Sequence, residues 1–197
     1  MRSSAAGTAL GALIEGNRRF AAGASVHPHD DPGRRSEVAS GQHPRAAIVA
    51  CSDSRVGPEI VFDQGLGDVF VVRTAGNLLD AIGIGSLEYA AAHLGVPLIV
   101  VMGHSHCGAV GAAAETSAAP GRIPAIVSAL EPSIEKARGA PGDLVDAASR
   151  ENVKSTVATL ERCEPVIKGL IDEGKLRVVG MFYDIERGTV ELLGAEG

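Results

Sequence analysis

Cys51, His104 and Cys107 are the side chains of this sequence best suited to hold a soft metal ion. Two thiolates and one imidazole favour Zn2+, and a catalytic zinc site keeps its fourth position for water or substrate. The first cysteine opens the run Cys51-Ser-Asp-Ser-Arg55, which adds a carboxylate and a guanidinium able to hold it. If that run continues extended, side chains alternate, so Cys51, Asp53 and Arg55 share one side and Ser52 and Ser54 the other. The second run, His104-Ser-His-Cys107, feeds Cys107-Gly-Ala-Val-Gly-Ala-Ala-Ala114, which reads as a helix start. A thiol at a helix N-terminus has a lowered pKa and serves readily as thiolate. The chemistry implied is activation of water by a metal. A closed structural clamp is the alternative, but such clamps recruit four protein ligands.

Each run follows an apolar stretch, Ala46–Ala50 before Cys51 and Pro97–Met102 before His104, and both stretches read as buried parallel strands. Further strands are expected at Asp68–Arg73, Arg177–Tyr183 and Thr189–Leu193. Helices are expected at Thr8–Phe20 (Thr8 as cap, Gly23 as stop), Arg34–Ala39, Pro58–Asp63, Asp80–Leu94, Cys107–Ala114, Ile123–Arg138 and Leu144–Glu173, the last broken near Glu164 by Pro165. Alternating βα order predicts an α/β fold. Its mainly parallel sheet has four to five strands, an antiparallel edge strand and flanking helices, behind an N-terminal helical arm. Open sheets of this kind place their sites beyond the carboxyl ends of the strands. Gly83 and Gly85 interrupt an apolar helical pattern, which close packing of a neighbouring backbone or a loose helix start would explain.

Composition narrows the class. At 197 residues the chain suits one domain, 1–197, with an arm and loop over 1–43 and an α/β core over 44–197. A net charge of -6 without a basic run argues against nucleic acid. No apolar run reaches bilayer length and no secretory signal opens the chain, so no membrane partner is expected. Three cysteines, an odd count, argue for a reducing compartment and a cytoplasmic protein. Cys163, left over from the metal set, reads as a half-buried thiol on a helix.

Beyond the two metal runs, Asn17-Arg-Arg-Phe20, Gln42-His-Pro44, Gly67-Asp-Val-Phe-Val-Val-Arg73, Ala75-Gly-Asn77, Ser86-Leu-Glu-Tyr-Ala90, Val179-Gly-Met-Phe-Tyr-Asp184 and Gly188-Thr-Val190 occur in order. With them the sequence closely resembles the β-class carbonic anhydrases over nearly its whole length; only about Thr116 to Ser149 lacks diagnostic residues. The resemblance implies zinc-dependent reversible hydration of CO2 to bicarbonate and a proton, by attack of zinc-bound hydroxide, with one Zn2+ per subunit. It assigns Cys51, His104 and Cys107 as ligands and Asp53 and Arg55 as the catalytic pair. Asp53 either stays on Arg55 or, released, becomes a fourth ligand that closes the site. It also implies a substrate pocket lined by Gln42, Phe70 and Tyr89, with the Gly108 amide at the helix start, and a homodimer or homotetramer. Ile48 stands where an allosteric subgroup carries tryptophan, which argues against an escort site for bicarbonate. His106 reads as a variable turn residue, with proton relay or competing ligand as alternatives. Hydrolysis of a related heterocumulene such as CS2, or a non-enzymatic zinc or thiol role, are the other functions compatible with the same residues.

Overall fold

The computed structural model describes residues 4–115 and 120–194. Its centre is a sheet of β1 (Ala46–Cys51), β2 (Val69–Thr74), β3 (Leu98–His104), β4 (Arg177–Tyr183) and β5 (Val190–Leu193), in the spatial order β2-β1-β3-β4-β5. The first four run parallel and β5 pairs antiparallel with β4. This is the mainly parallel sheet with an antiparallel edge that the sequence predicts. β1 and β3 are buried at every residue, as continuous apolar runs must be when both sheet faces are covered.

The period of two along the strands sorts the core. Ala46, Ile48 and Ala50 join Leu98, Val100 and Met102 under α1 (Ala5–Ala21) and α3 (Pro58–Val61). Ala47, Val49, Ile99 and Val101 face α4 (Ala81–Ala92), α7 (Leu144–Glu161) and α8 (Val166–Asp172) through Leu87, Ala90, Val153, Leu160 and Ile167. A third apolar group holds Cys51 and Cys107 against Val110 of α5 (Gly108–Glu115) and Leu130, Ile134 and Ala137 of α6 (Ile123–Ala137). Between α1 and β1 a short α2 (Pro32–Val38) is capped by Asp31.

Several boundaries depart from expectation. α1 starts at Ala5, and its cap is Ser4, whose side chain accepts from the Gly7 amide at 3.1 Å; Thr8 lies inside the helix. Ala5 and Ala6 are strong helix formers, so the helix propagates back to the earlier hydroxyl. Gly23 ends the segment in the left-handed region, at φ 66°. The arm lies on its own sheet through Ala6, Ala9, Leu10 and Leu13. There the Asn17 amide donates to the Val61 and Gly188 carbonyls, and its oxygen accepts from Val190. The expected span Leu144–Glu173 is two helices, parted at Pro165. In α4 the Gly83 amide donates to the Asp80 cap at 2.8 Å, while a Cβ on Gly85 would meet nothing within 4 Å. A Cβ on Gly83 would fall 2.9 Å from the Leu79 side chain at the helix start, and among the described residues no neighbouring backbone requires Gly85.

α7 sits unusually close to the strands. A Cβ on Gly103 would fall 2.6 Å from Val153, and one on Gly180 2.9 Å from the same side chain. Two bare strand positions thus let Val153 reach the sheet and bring the first turns of α7 over the carboxyl end of β3.

Candidate metal centre

The strand order makes β1 and β3 neighbours whose outgoing connections diverge, β1 toward β2 on one side and β3 toward β4 on the other. The crevice at such a switch point is where open α/β sheets bind ligands. Cys51 is the last residue of β1 and His104 the last of β3. Cys107 immediately precedes α5. One donor atom from each of Cys51, His104 and Cys107 lies within 4.8 Å of the others, and all three residues are buried.

The donors are prepared for a cation. His104 Nδ1 is engaged by the Ser105 carbonyl at 2.9 Å, which places the proton on that nitrogen and leaves Nε2 with its lone pair. Nε2 is buried and has no hydrogen-bond partner among the described residues. An orphaned imidazole nitrogen beside two thiols, in an apolar wall, is what a metal would satisfy. The Cys51 thiol is drawn well below the ordinary thiol range, chiefly by donation from the Cys107 thiol and further by the amides of Asp53 and Gly76, with burial opposing. The Gly76 amide contributes a hydrogen bond to Cys51 Sγ at 3.2 Å. Cys107, the other half of the same pair, retains the shared proton and is raised, although the amides of Ala109 and Val110 at the start of α5 work the other way. A bound dication would displace that proton.

Asp53 reaches Arg55 by a different route from the extended one anticipated. β1 ends at Cys51 and the chain turns, so the Arg55 amide donates to Asp53 Oδ1 at 3.0 Å. The guanidinium then returns on the same carboxylate, Nε to Oδ1 at 2.9 Å and Nη2 to Oδ2 at 2.7 Å. This pairing holds the Asp53 carboxyl down at about 2, with burial opposing. Both oxygens are occupied by Arg55, and Asp53 stands outside the group of three donors. Arg55 Nη2 also donates to the His106 carbonyl at 3.1 Å.

The backbone around these groups is clamped by three residues to which the sequence assigned no role. Arg73, on β2, donates from Nε to Cys51 O at 3.0 Å and from Nη2 to Asp53 O at 2.8 Å. Asn152, buried on α7, donates to Gly76 O at 2.8 Å and so steadies the peptide that serves Cys51. Asp146, in the first turn of α7, accepts from the His106 amide at 2.8 Å. Arg73 had a signal in its motif; Asp146 and Asn152 had none, because an Asp or Asn on a helix is ordinarily a surface or cap residue.

Gln42, Phe70 and Tyr89 do not join this cluster in one chain. Phe70 pairs with Ala47, four positions before Cys51, roughly 13 Å back along the strand. Tyr89 packs beside it, with ring centroids 6.4 Å apart, and Gln42 is exposed in the loop before β1. Gly108, in contrast, is the first residue of α5 and directly follows Cys107. Ile48 is wholly buried in the core.

Fold and site together define an α/β protein with a soft three-donor metal centre at the sheet's switch point. The family model described as carbonic anhydrase matches residues 46–190. Carbonic anhydrase 2 of Mycobacterium tuberculosis is 44% identical over 185 residues, covering 92% of this chain and 89% of the relative. A tetrameric β-carbonic anhydrase from Sordaria macrospora superposes with a TM-score of 0.78 at 28% identity, over 95% of this chain and 98% of that one. The Coccomyxa β-carbonic anhydrase, solved in complex with acetazolamide, gives 0.75 at 30% identity, over 93% and 86%. This chain belongs to the carbonic anhydrase family, in its β class.

Proposed function

We propose that the protein catalyses the reversible hydration of CO2 to bicarbonate, using one zinc ion per subunit held by Cys51, His104 and Cys107. The observation that carries this reading is the buried, unpartnered His104 Nε2 beside two thiols. A zinc ion in this set would supply Lewis acidity, making a water nucleophilic near neutral pH. The protein residues do the rest. Arg55 keeps Asp53 ionised and away from the three donors, leaving the fourth direction to water or substrate. There a free lone pair of the Asp53 carboxylate accepts a hydrogen bond from the nucleophile and orients it toward the CO2 carbon. The Gly108 amide, at the start of α5, donates to a substrate oxygen as negative charge grows. Leu130 and Val110 exclude bulk water from the buried side of the donors.

The pocket role of Gln42, Phe70 and Tyr89 requires them to serve a second copy, since their own chain keeps them away from its donors. A homodimer, or a tetramer built from dimers, is therefore part of the proposal. The supporting surface lies around the edge of β2, which has no outer partner among the described residues, where Ile60, Leu66, Ile82 and Tyr89 are exposed. Among the described residues no helix is long and apolar enough to cross a membrane. We assign the protein to the cytoplasm on its three free cysteines, and treat 1–197 as one domain.

Stopped-flow CO2 hydration, with zinc measured on the same sample, tests the reading. Activity should disappear on chelation and return with zinc. C107S should lose both metal and at least about a hundredfold in turnover. Full turnover by a metal-free sample refutes it.

A further inference from the structure

His106 occupies the left-handed region, at φ 52°, although it carries a Cβ. Its exposed ring points to Glu186, 3.7 Å away at the surface, and does not hold the turn. The backbone on both sides does. The amide donates to Asp146 Oδ1 at 2.8 Å and the carbonyl accepts from Arg55 Nη2 at 3.1 Å. A continuous hydrogen-bonded path thus runs from the first turn of α7, through the His106 backbone, to the guanidinium that grips both oxygens of Asp53.

We infer that Asp146 is a positioning residue for the Asp53–Arg55 pair, acting through the backbone of His106. The inference rests on the zinc-dependent reading above and adds a residue to it. The Arg55 side chain is 49% exposed, so water competes for it, and among the described residues the His106 carbonyl is its one acceptor outside Asp53. Without Asp146 the His106 amide turns to solvent, and the strained left-handed residue relaxes. The carbonyl then swings off Arg55, and Asp53 is freed to turn toward the donors. The metal donors themselves have separate anchors: the Gly111 amide donates to Cys107 O at 2.9 Å and the Gly76 amide to Cys51 Sγ at 3.2 Å. The Ser105 amide donates to Tyr183 O at 2.9 Å and its hydroxyl accepts from the Ile185 amide at 3.0 Å, fixing the residue after His104. Loss of Asp146 therefore loosens the pair and leaves the ligand set in place.

Asp146 also has an ordinary helix role, as an acidic group in the first turn of α7. That role depends on charge, whereas the positioning role depends on an acceptor oxygen. D146N keeps the oxygen and loses the charge; D146A loses both. In the zinc-loaded protein, D146A should lose on the order of tenfold in kcat/KM for CO2 with unchanged zinc stoichiometry, and D146N should stay within about twofold of the parent. The unfolding midpoints of D146A and D146N should move together, since both lack the charge. In Co2+-substituted samples the visible spectrum of D146A should shift toward that of R55A, while D146N keeps the parent spectrum. D146S, whose hydroxyl suits a helix start but falls short of the His106 amide, gives a second acceptor-free variant should D146A fail to fold. Parent-like kcat/KM and spectrum in the acceptor-free variants, equal losses in D146A and D146N, or loss of zinc from D146A would overturn the assignment. A parent that neither holds zinc nor hydrates CO2 overturns the functional reading instead.

Discussion

His104 gains its ligand character from one neighbouring carbonyl. With Nδ1 committed to Ser105 O, the other nitrogen is left bare in a buried place, where only a cation or a donor would satisfy it. The two thiolates beside it cancel the charge of a dication, unlike three neutral imidazoles, so less positive charge remains to acidify water. CO2 hydration should accordingly rise from neutral into alkaline pH. A flat stopped-flow profile between about pH 6 and 9 would contradict this ligand set or this rate-limiting group. Asp63 illustrates the same logic applied to stability. Burial pushes its carboxyl up, but Arg19 at 2.6 Å and the amides of Val26 and His27 more than offset that, and the net shift is downward. A depressed folded-state pKa contributes stability above the ordinary carboxylate range, and the contribution is lost as pH falls through the lowered value. D63N should therefore cost about 1–3 kcal/mol at pH 7 in urea unfolding, and the difference from the parent should shrink toward pH 2.

α7 is the element that joins fold to site. Its residues Asp146, Ser149, Asn152 and Val153 fall on one helical face at spacings of three and four. Val153 settles over Gly103 and Gly180, while Asp146 and Asn152 reach the His106 and Gly76 backbones. The closeness depends on the bare strand positions. G103A would push a methyl against Val153 and against the Ser149 carbonyl at 3.3 Å, lifting the helix that carries both clamps. We expect G103A to lose about 1–3 kcal/mol of stability and part of its turnover. The double variant G103A/V153A should lose less stability than the two single variants added together. Additive losses in denaturant titrations would show that this contact does not set the helix's height.

At the scale of the molecule, one chain carries the metal donors at the carboxyl edge of its sheet and Phe70 and Tyr89 far back from that edge. Ile82 is 79% exposed and Ile60 64% exposed, on elements flanking an edge strand that has no outer partner among the described residues. Large apolar groups around an unpaired strand are unfavourable in water and suited to self-association. Sedimentation velocity at micromolar concentration should find a dimer or larger. I82K should shift it toward monomer and lower turnover, although Ile82 is no part of its own chain's metal centre. A monomeric, fully active parent would remove the second-copy reading of Gln42, Phe70 and Tyr89.

Local sequence carried the strands, the break at Pro165 and the three donor side chains. An unbroken apolar run must be buried on both faces, and thiols and imidazoles have few other uses in such a pattern. The order of β and α segments implied a parallel sheet. Tertiary structure alone decided that Cys51 and His104 meet, because strand order sets which carboxyl ends become neighbours. It decided too that Asp53 meets Arg55 through a turn and that Asp146 and Asn152 belong to the site. Their partners are backbone groups 40 and 76 residues away, and a backbone group bears no mark in the sequence of what will bind it.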